Sequence, residues 1–253
     1  MRWLDTQAIV VGRRRLSGAD RLVTLLTPEH GRMRAVARGD CLPRSRQAGA
    51  LEPYGVCRVI LLPGPGGGGL FRVDAAERVR PFLSLTGDLI RCQGAGLACA
   101  WVRGLSREGE SRSLYHLLEG HLAELDAGSP VLAATAVFLW RLPQEMGVAP
   151  QLDQCADCGC GDGFAALRVV PGAAVCGECR KSGDIPLTAP HWAALRALAN
   201  PAYSAAGATT PLAAAAVAGG CELASDTASD TVLRRLAALA QVYLRGHFGA
   251  GLP

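Results

Sequence analysis

The segment RMRAVAR, residues 32–38, alternates: Met33, Ala35 and Ala37 fall on one side, and Arg32, Arg34 and Arg38 on the other. A period of two is that of a strand with one buried and one solvated face. The same reading extends in both directions. Residues 8–12 and 22–27 are short apolar runs upstream, the second with Thr24 inside it, and residues 56–62 form another run downstream. The Gly- and Pro-rich stretch 63–69 reads as a loop before a further strand at 70–75. Five short strands in the first eighty residues predict a small β-barrel. An oligonucleotide-binding (OB) fold is the natural candidate at this size, with an SH3-like barrel as the other option.

After Pro81 the spacing becomes helical. Leu85, Leu89 and Cys92 lead into Leu97, Trp101 and Leu105; Leu114, Leu118, Leu122 and Leu125 mark a second helix, and residues 131–142 a third. Ser111 and Ser129 are placed to cap these helices, and Gly104, Gly128 and Gly147 to end them. Helices are expected again at 190–198, 211–217 and 231–248, with small-residue linkers at 200–207 and 219–230. The expected architecture is α+β and multidomain: a basic barrel over residues 1–80, and a helical domain over 81–253 carrying an inserted cysteine knuckle at 151–185.

Two Cys-x-x-Cys pairs define that knuckle: Cys155 and Cys158, then Cys176 and Cys179, with seventeen residues between the pairs. Thiolates three residues apart on a tight turn converge on a common centre, and this gap is that of a zinc ribbon or knuckle. Four thiolates around Zn2+ leave no open position for water, so one structural zinc ion per chain is expected. Cys160 is a competing ligand through a Cys-x-x-x-x-Cys spacing from Cys155, although Cys158 is preferred. A disulfide would need an oxidising compartment, and residues 1–11 do not read as a signal peptide. A thioredoxin-like pair would need one motif opening a helix after a strand, and a zinc enzyme would need water in place of one cysteine. Cys41, Cys57, Cys92, Cys99 and Cys221 lie singly among apolar residues and read as buried thiols.

The chain of 253 residues carries a formal charge of +4, unevenly spread. Residues 1–80 hold fourteen arginines against seven acidic residues, whereas the remainder is net acidic. Arg13, Arg14, Arg15, Arg32, Arg34, Arg38, Arg44 and Arg46 are the candidates for phosphate contact. Aromatic residues are sparse before position 81, being Trp3, Tyr54 and Phe71, which favours phosphate contact over base stacking. The five histidines are scattered, and the run 64–69 lacks the Gly-Lys-Ser/Thr ending of a phosphate-cradling loop. Neither an enzyme nor an ATPase is expected. No apolar run reaches bilayer-spanning length, and the expected location is the cytoplasm, in association with the nucleoid.

Four blocks carry a family resemblance: AIVVGRRRLSGADRLVTLLTPEHGRMRAVARGD (8–40), SRQAGALEPYG (45–55), LPQEMGVAPQLDQCADCG (142–159) and PGAAVCGECR (171–180). Together they resemble the RecO family of bacterial recombinational repair mediators. Many members carry a Glu shortly before the Asp of the first turn, whereas Ser17, Gly18 and Ala19 precede Asp20 here. The resemblance implies a non-enzymatic protein that binds single- and double-stranded DNA and anneals complementary strands. It also implies work with RecR, and in many bacteria RecF, to load RecA onto strands covered by single-stranded DNA-binding protein. Some members lack the cysteines, in keeping with a supporting metal. The other class of function in view is a zinc-stabilised protein-interaction scaffold without direct DNA binding.

Overall fold

The structure is a computed structural model that describes residues 3–16, 18–45, 47–64, 69–109, 111–199, 226–249 and 251–253. Arg46, Cys221, the helix expected at 211–217, the linker expected at 200–207 and residues 219–225 of the second linker lie outside the described residues, while the end of that second linker, from Asp226, is helical instead. The chain divides into two compact units, residues 1–128 and 129–252. The barrel therefore shares its unit with the first helices.

Five strands build the barrel: β1 (Leu4–Arg15), β2 (Arg21–Thr27), β3 (Gly31–Ala37), β4 (Val56–Pro63) and β5 (Leu70–Arg80). They close in the order β1-β2-β3-β5-β4. All pairings are antiparallel except β3 with β5, which is the strand arrangement of the OB-fold. The alternation read from residues 32–38 holds in space, with Met33, Ala35 and Ala37 buried and Arg34 and Arg38 exposed. Their inward neighbours are Ala8, Val10, Val23, Leu25, Leu51, Cys57, Val59, Leu61 and Val73. Small residues, Ala8 on β1 and Ala35 and Ala37 on β3, face leucine and valine across a narrow interior. A register shift between Val10 and Gly12 marks a β-bulge, which re-aims the strand as it enters the arginine run.

The turn Thr27–Gly31 is fixed by chemistry readable in the sequence. Thr27 Oγ1 accepts from His30 N at 3.1 Å and donates to Gly31 O at 3.1 Å. Gly31 has φ +64°, and a Cβ there would collide with the carbonyl oxygens of Arg107 and Gly109, so no other residue fits.

Helices α1 (Leu83–Thr86), α2 (Leu89–Leu105) and α3 (Arg112–Asp126) complete this unit, with α2 packed on β1. Ile9 and Val11, on the opposite face of β1 from the barrel core, are buried as well. Asp88 caps α2 through Ile90 N (2.8 Å) and Arg91 N (3.1 Å). Gly104, expected as a stop, lies inside α2, because the helix runs one residue further to Leu105. Ser111 precedes α3 as expected but makes no side-chain cap bond.

In the second unit α4 (Val131–Glu145) is buried from Ala133 to Trp140. It begins after Pro130 rather than after a Ser129 cap, proline having the pre-set φ that suits a helix entrance. It ends at Met146, with Gly147 at φ +71°. Among the described residues, two more helices follow the cysteine region, α5 (Ala189–Ala199) and α6 (Asp226–Phe248). Trp140 Nε1 donates to Leu236 O at 3.0 Å and Gln144 Nε2 to Ala199 O at 2.8 Å, fixing α4 against both. The knuckle itself is a four-stranded sheet, β6 (Gln151–Cys155), β7 (Phe164–Arg168), β8 (Ala173–Cys176) and β9 (Ile185–Pro186), ordered β6-β8-β7-β9.

Candidate nucleic-acid interface and cysteine cluster

The register sorts the arginines. Arg14 pairs with Leu22, Leu22 with Val36, Val36 with Arg72 and Arg72 with Leu62, so these residues form one outward row across four adjacent strand pairings. Thr24, Arg34 and Leu70 form the next row. A groove of about 510 Å³ lies along this face, lined by Val36, Arg38, Leu62, Leu70, Phe71 and Arg72 among others. Its lining is mostly apolar, with Arg38, Arg72 and the carboxylate Asp20 as the charged residues. Among the described residues, Arg14, Arg34, Arg38 and Arg44 have no carboxylate partner. Arg72 has Asp74 at 3.7 Å.

Other members of the expected set are engaged. The triplet 13–15 lies in strand β1, and alternation turns Arg13 away from Arg14, opposite Val23 and into a 2.9 Å ion pair with Glu52. Arg15 Nη2 donates to Gly18 O at 3.4 Å. Arg32 Nη1 donates to Arg103 O at 2.6 Å, tying β3 to the end of α2. Arg44 is exposed in the turns after β3. Asp20 accepts from Gly39 N at 2.8 Å, which locks the β1–β2 turn to the loop after β3, while Asp40 pairs with Arg21 at 3.2 Å. Arg72 was not among the expected residues. The period-two test that found Arg34 finds it too, since Phe71 and Val73 point to the core.

At the knuckle, the Sγ atoms of Cys155, Cys158, Cys160 and Cys176 lie within 4.8 Å of one another. Cys158 and Cys176 are 3.8 Å apart. Thiolates about 2.3 Å from a tetrahedral zinc sit about 3.8 Å from each other, so the group has the dimensions and donors of a metal site. Cys160, which the spacing ranked second, belongs to this close set. Cys179 is half-buried and packs against the same cluster.

Backbone geometry prepares the sulfurs. The N–H groups of Cys158, Cys176 and Asp157 converge on Cys155 and hold its thiol down at about 6. The Cys179 N–H lowers the Cys176 thiol below its ordinary range. Contact with Cys158, then burial, pushes Cys160 up to about 12, and contact with Cys176, then Cys158, raises Cys179. Arg168 braces the turn, bonding Asp184 at 2.8 Å and Asp157 at 2.7 Å, and Lys181 adds a 3.1 Å pair to Asp157. These cations, Arg168 foremost, hold the Asp157 carboxyl at about 2. The isolated thiols contrast with this, because burial pushes both Cys57 and Cys99 up to about 12 and leaves no thiolate for chemistry.

Among the described residues, no helix is long and apolar enough to cross a membrane. The N-terminal model of recombination protein O matches residues 1–82, and its C-terminal model matches residues 86–216. The chain is 38% identical over 203 residues to the DNA repair protein RecO of Anaeromyxobacter dehalogenans (strain 2CP-C), covering 78% of this chain and 79% of that one. It is 34% identical to the DNA repair protein RecO of Myxococcus xanthus (strain DK1622), over 82% and 84% of the two chains. With the DNA repair protein RecO of Heliobacterium modesticaldum the identity is 35%, over 63% of this chain and 57% of that one. An OB-fold barrel, a following helical region with a cysteine cluster, and both halves of the family pattern in order establish that the chain belongs to the RecO family of DNA repair proteins.

Proposed function

We propose that this chain is a non-enzymatic recombination mediator that binds single- and double-stranded DNA through its barrel and promotes annealing of complementary strands. In this reading it acts with RecR, and with RecF, to load RecA onto single strands covered by single-stranded DNA-binding protein. The observation that carries it is the outward face of the barrel, on which Arg14, Arg34 and Arg38 have no carboxylate partner among the described residues and Arg38 and Arg72 line a groove. Unpaired guanidiniums attract phosphates and release counterions without reading sequence, which suits the joining of two polyanions. The cysteine cluster is assigned one structural Zn2+. Thiolate ligation would close its coordination shell and cross-link a small sheet, supplying stability and no catalysis.

Fluorescence anisotropy with a labelled single strand, titrated across salt concentrations, tests the reading. The triple substitution of Arg14, Arg34 and Arg38 by Ala should weaken binding at least tenfold at low salt. It should also lower the slope of log affinity against log salt by about 2, three contacts at about 0.7 each. Intact protein that gives no binding at low salt would defeat the DNA reading. It would favour the scaffold instead, for which the exposure of Leu89 and Ile90 (74% and 64%) at the start of α2 is the supporting observation.

A further inference from the structure

We propose that the cluster is a five-thiol centre in which Cys155, Cys158 and Cys176 hold the ion throughout while Cys160 and Cys179 share the fourth position. This inference rests on the zinc reading above. Tetrahedral zinc accepts four thiolates; Cys155, Cys158, Cys160 and Cys176 lie within 4.8 Å of one another, and Cys179, the partner of Cys176 in the second Cys-x-x-Cys pair, packs against the same core as a fifth thiol. Cys160 and Cys179 arrive from different turns, and both pack against the small core formed by Cys155, Val175 and Cys176.

Cys160 is not an incidental neighbour. Cys155 N donates to Cys160 O at 2.8 Å and Gly159 N to Cys155 O at 3.0 Å, so the turn carrying the first pair is closed by Cys160's own backbone. Its half-buried side chain packs beside Phe164 in the same small core as Cys155 and Cys176. Cys179 is also half-buried in that core. Exchange between them is a simple substitution. The bond from zinc to the Cys179 sulfur breaks as the bond to the Cys160 sulfur forms, and the proton leaving Cys160 passes to the Cys179 thiolate. Zinc keeps four sulfurs on either side of the step, and no oxidant or reductant is required.

Brief treatment of the full-length zinc-loaded protein with iodoacetamide tests this, with zinc content and the labelled peptides measured in the same sample. The expected result is one labelled thiol per chain among the five before zinc is lost, with the label divided between Cys160 and Cys179. Label confined to either one alone would overturn the sharing, as would label on Cys155, Cys158 or Cys176 while zinc is retained. The variants Cys160→Ser and Cys179→Ser should each keep one zinc with four sulfurs by X-ray absorption, whereas the double variant should drop to three. Should Cys179→Ser fail to fold, labelling of the natural protein decides the matter unaided. Protein purified without zinc and labelled at all five positions would instead defeat the zinc reading itself.

Discussion

The barrel and the cysteine sheet solve the same problem with different means. The barrel strands are 12, 7, 7, 8 and 11 residues long, and they close on themselves around Leu25, Leu61, Val59 and their neighbours. The four strands around the cysteines are 5, 5, 4 and 2 residues long, and the cluster at their end consists of cysteines with Val175 and Phe164. A closed ladder with an apolar interior supports itself, whereas so small a sheet needs a staple. One chain therefore carries a region held by burial and a region whose clustered cysteines could hold a metal ion.

Metal removal should separate the two most sharply. A structural zinc site contributes on the order of 10 kcal/mol to its own fold. Strong chelation, or Cys155→Ser, should abolish hydrogen-exchange protection of residues 151–186 while barrel amides stay protected. DNA affinity per folded molecule should change little. Equal loss of both would place the cysteine sheet in the DNA site and collapse the comparison.

A core truncation should do the reverse. Leu25 is fully buried at the centre of the barrel, and Leu25→Ala should cost about 2–5 kcal/mol, read as a fall in denaturant midpoint for residues 1–128 with zinc content unchanged. Gly31→Ala should act on the same unit through the backbone, costing about 1–3 kcal/mol by strain at φ +64° and by the clash with Arg107 and Gly109. If either change released the metal, the two regions would not be independent in the way their construction implies.

Much of this was legible in the sequence, for reasons tied to particular residues. The period of two at 32–38, the Gly- and Pro-rich loop before 70–75, and the two Cys-x-x-Cys pairs are local signals whose consequences are local. What was not legible depends on partners distant in the chain. That Arg32 bonds the Arg103 carbonyl on α2 and that Arg13 meets Glu52 in the loop before β4 depends on residues 71 and 39 positions away, which a strand pattern does not specify. The cysteine sheet escaped because its strands are too short to show a period, although its ligands were plain. Cys160 was recognised as a competitor, but its rank required the turn closed by its own carbonyl.

The smallest expected effect probes the barrel surface itself, where charge alone is a poor guide to function. Arg34 and Arg58 are both exposed on barrel strands and would be equivalent in any count of basic residues. Arg58 is committed to Asp5, which takes both its Nε and its Nη2, and the pair lowers the Asp5 carboxyl below its ordinary range. Arg34 stands in the outward row between Thr24 and Leu70 with no carboxylate partner among the described residues. A guanidinium already neutralised has little left to offer a phosphate, and freeing its carboxylate adds repulsion in its place. Arg34→Ala should therefore reduce the slope of log affinity against log salt by about 0.7, one phosphate contact on a single strand, whereas Arg58→Ala should leave that slope unchanged. Equal slopes for the two variants would mean that DNA senses only the total charge of the barrel, and the sorting of arginines by strand register would lose its functional meaning.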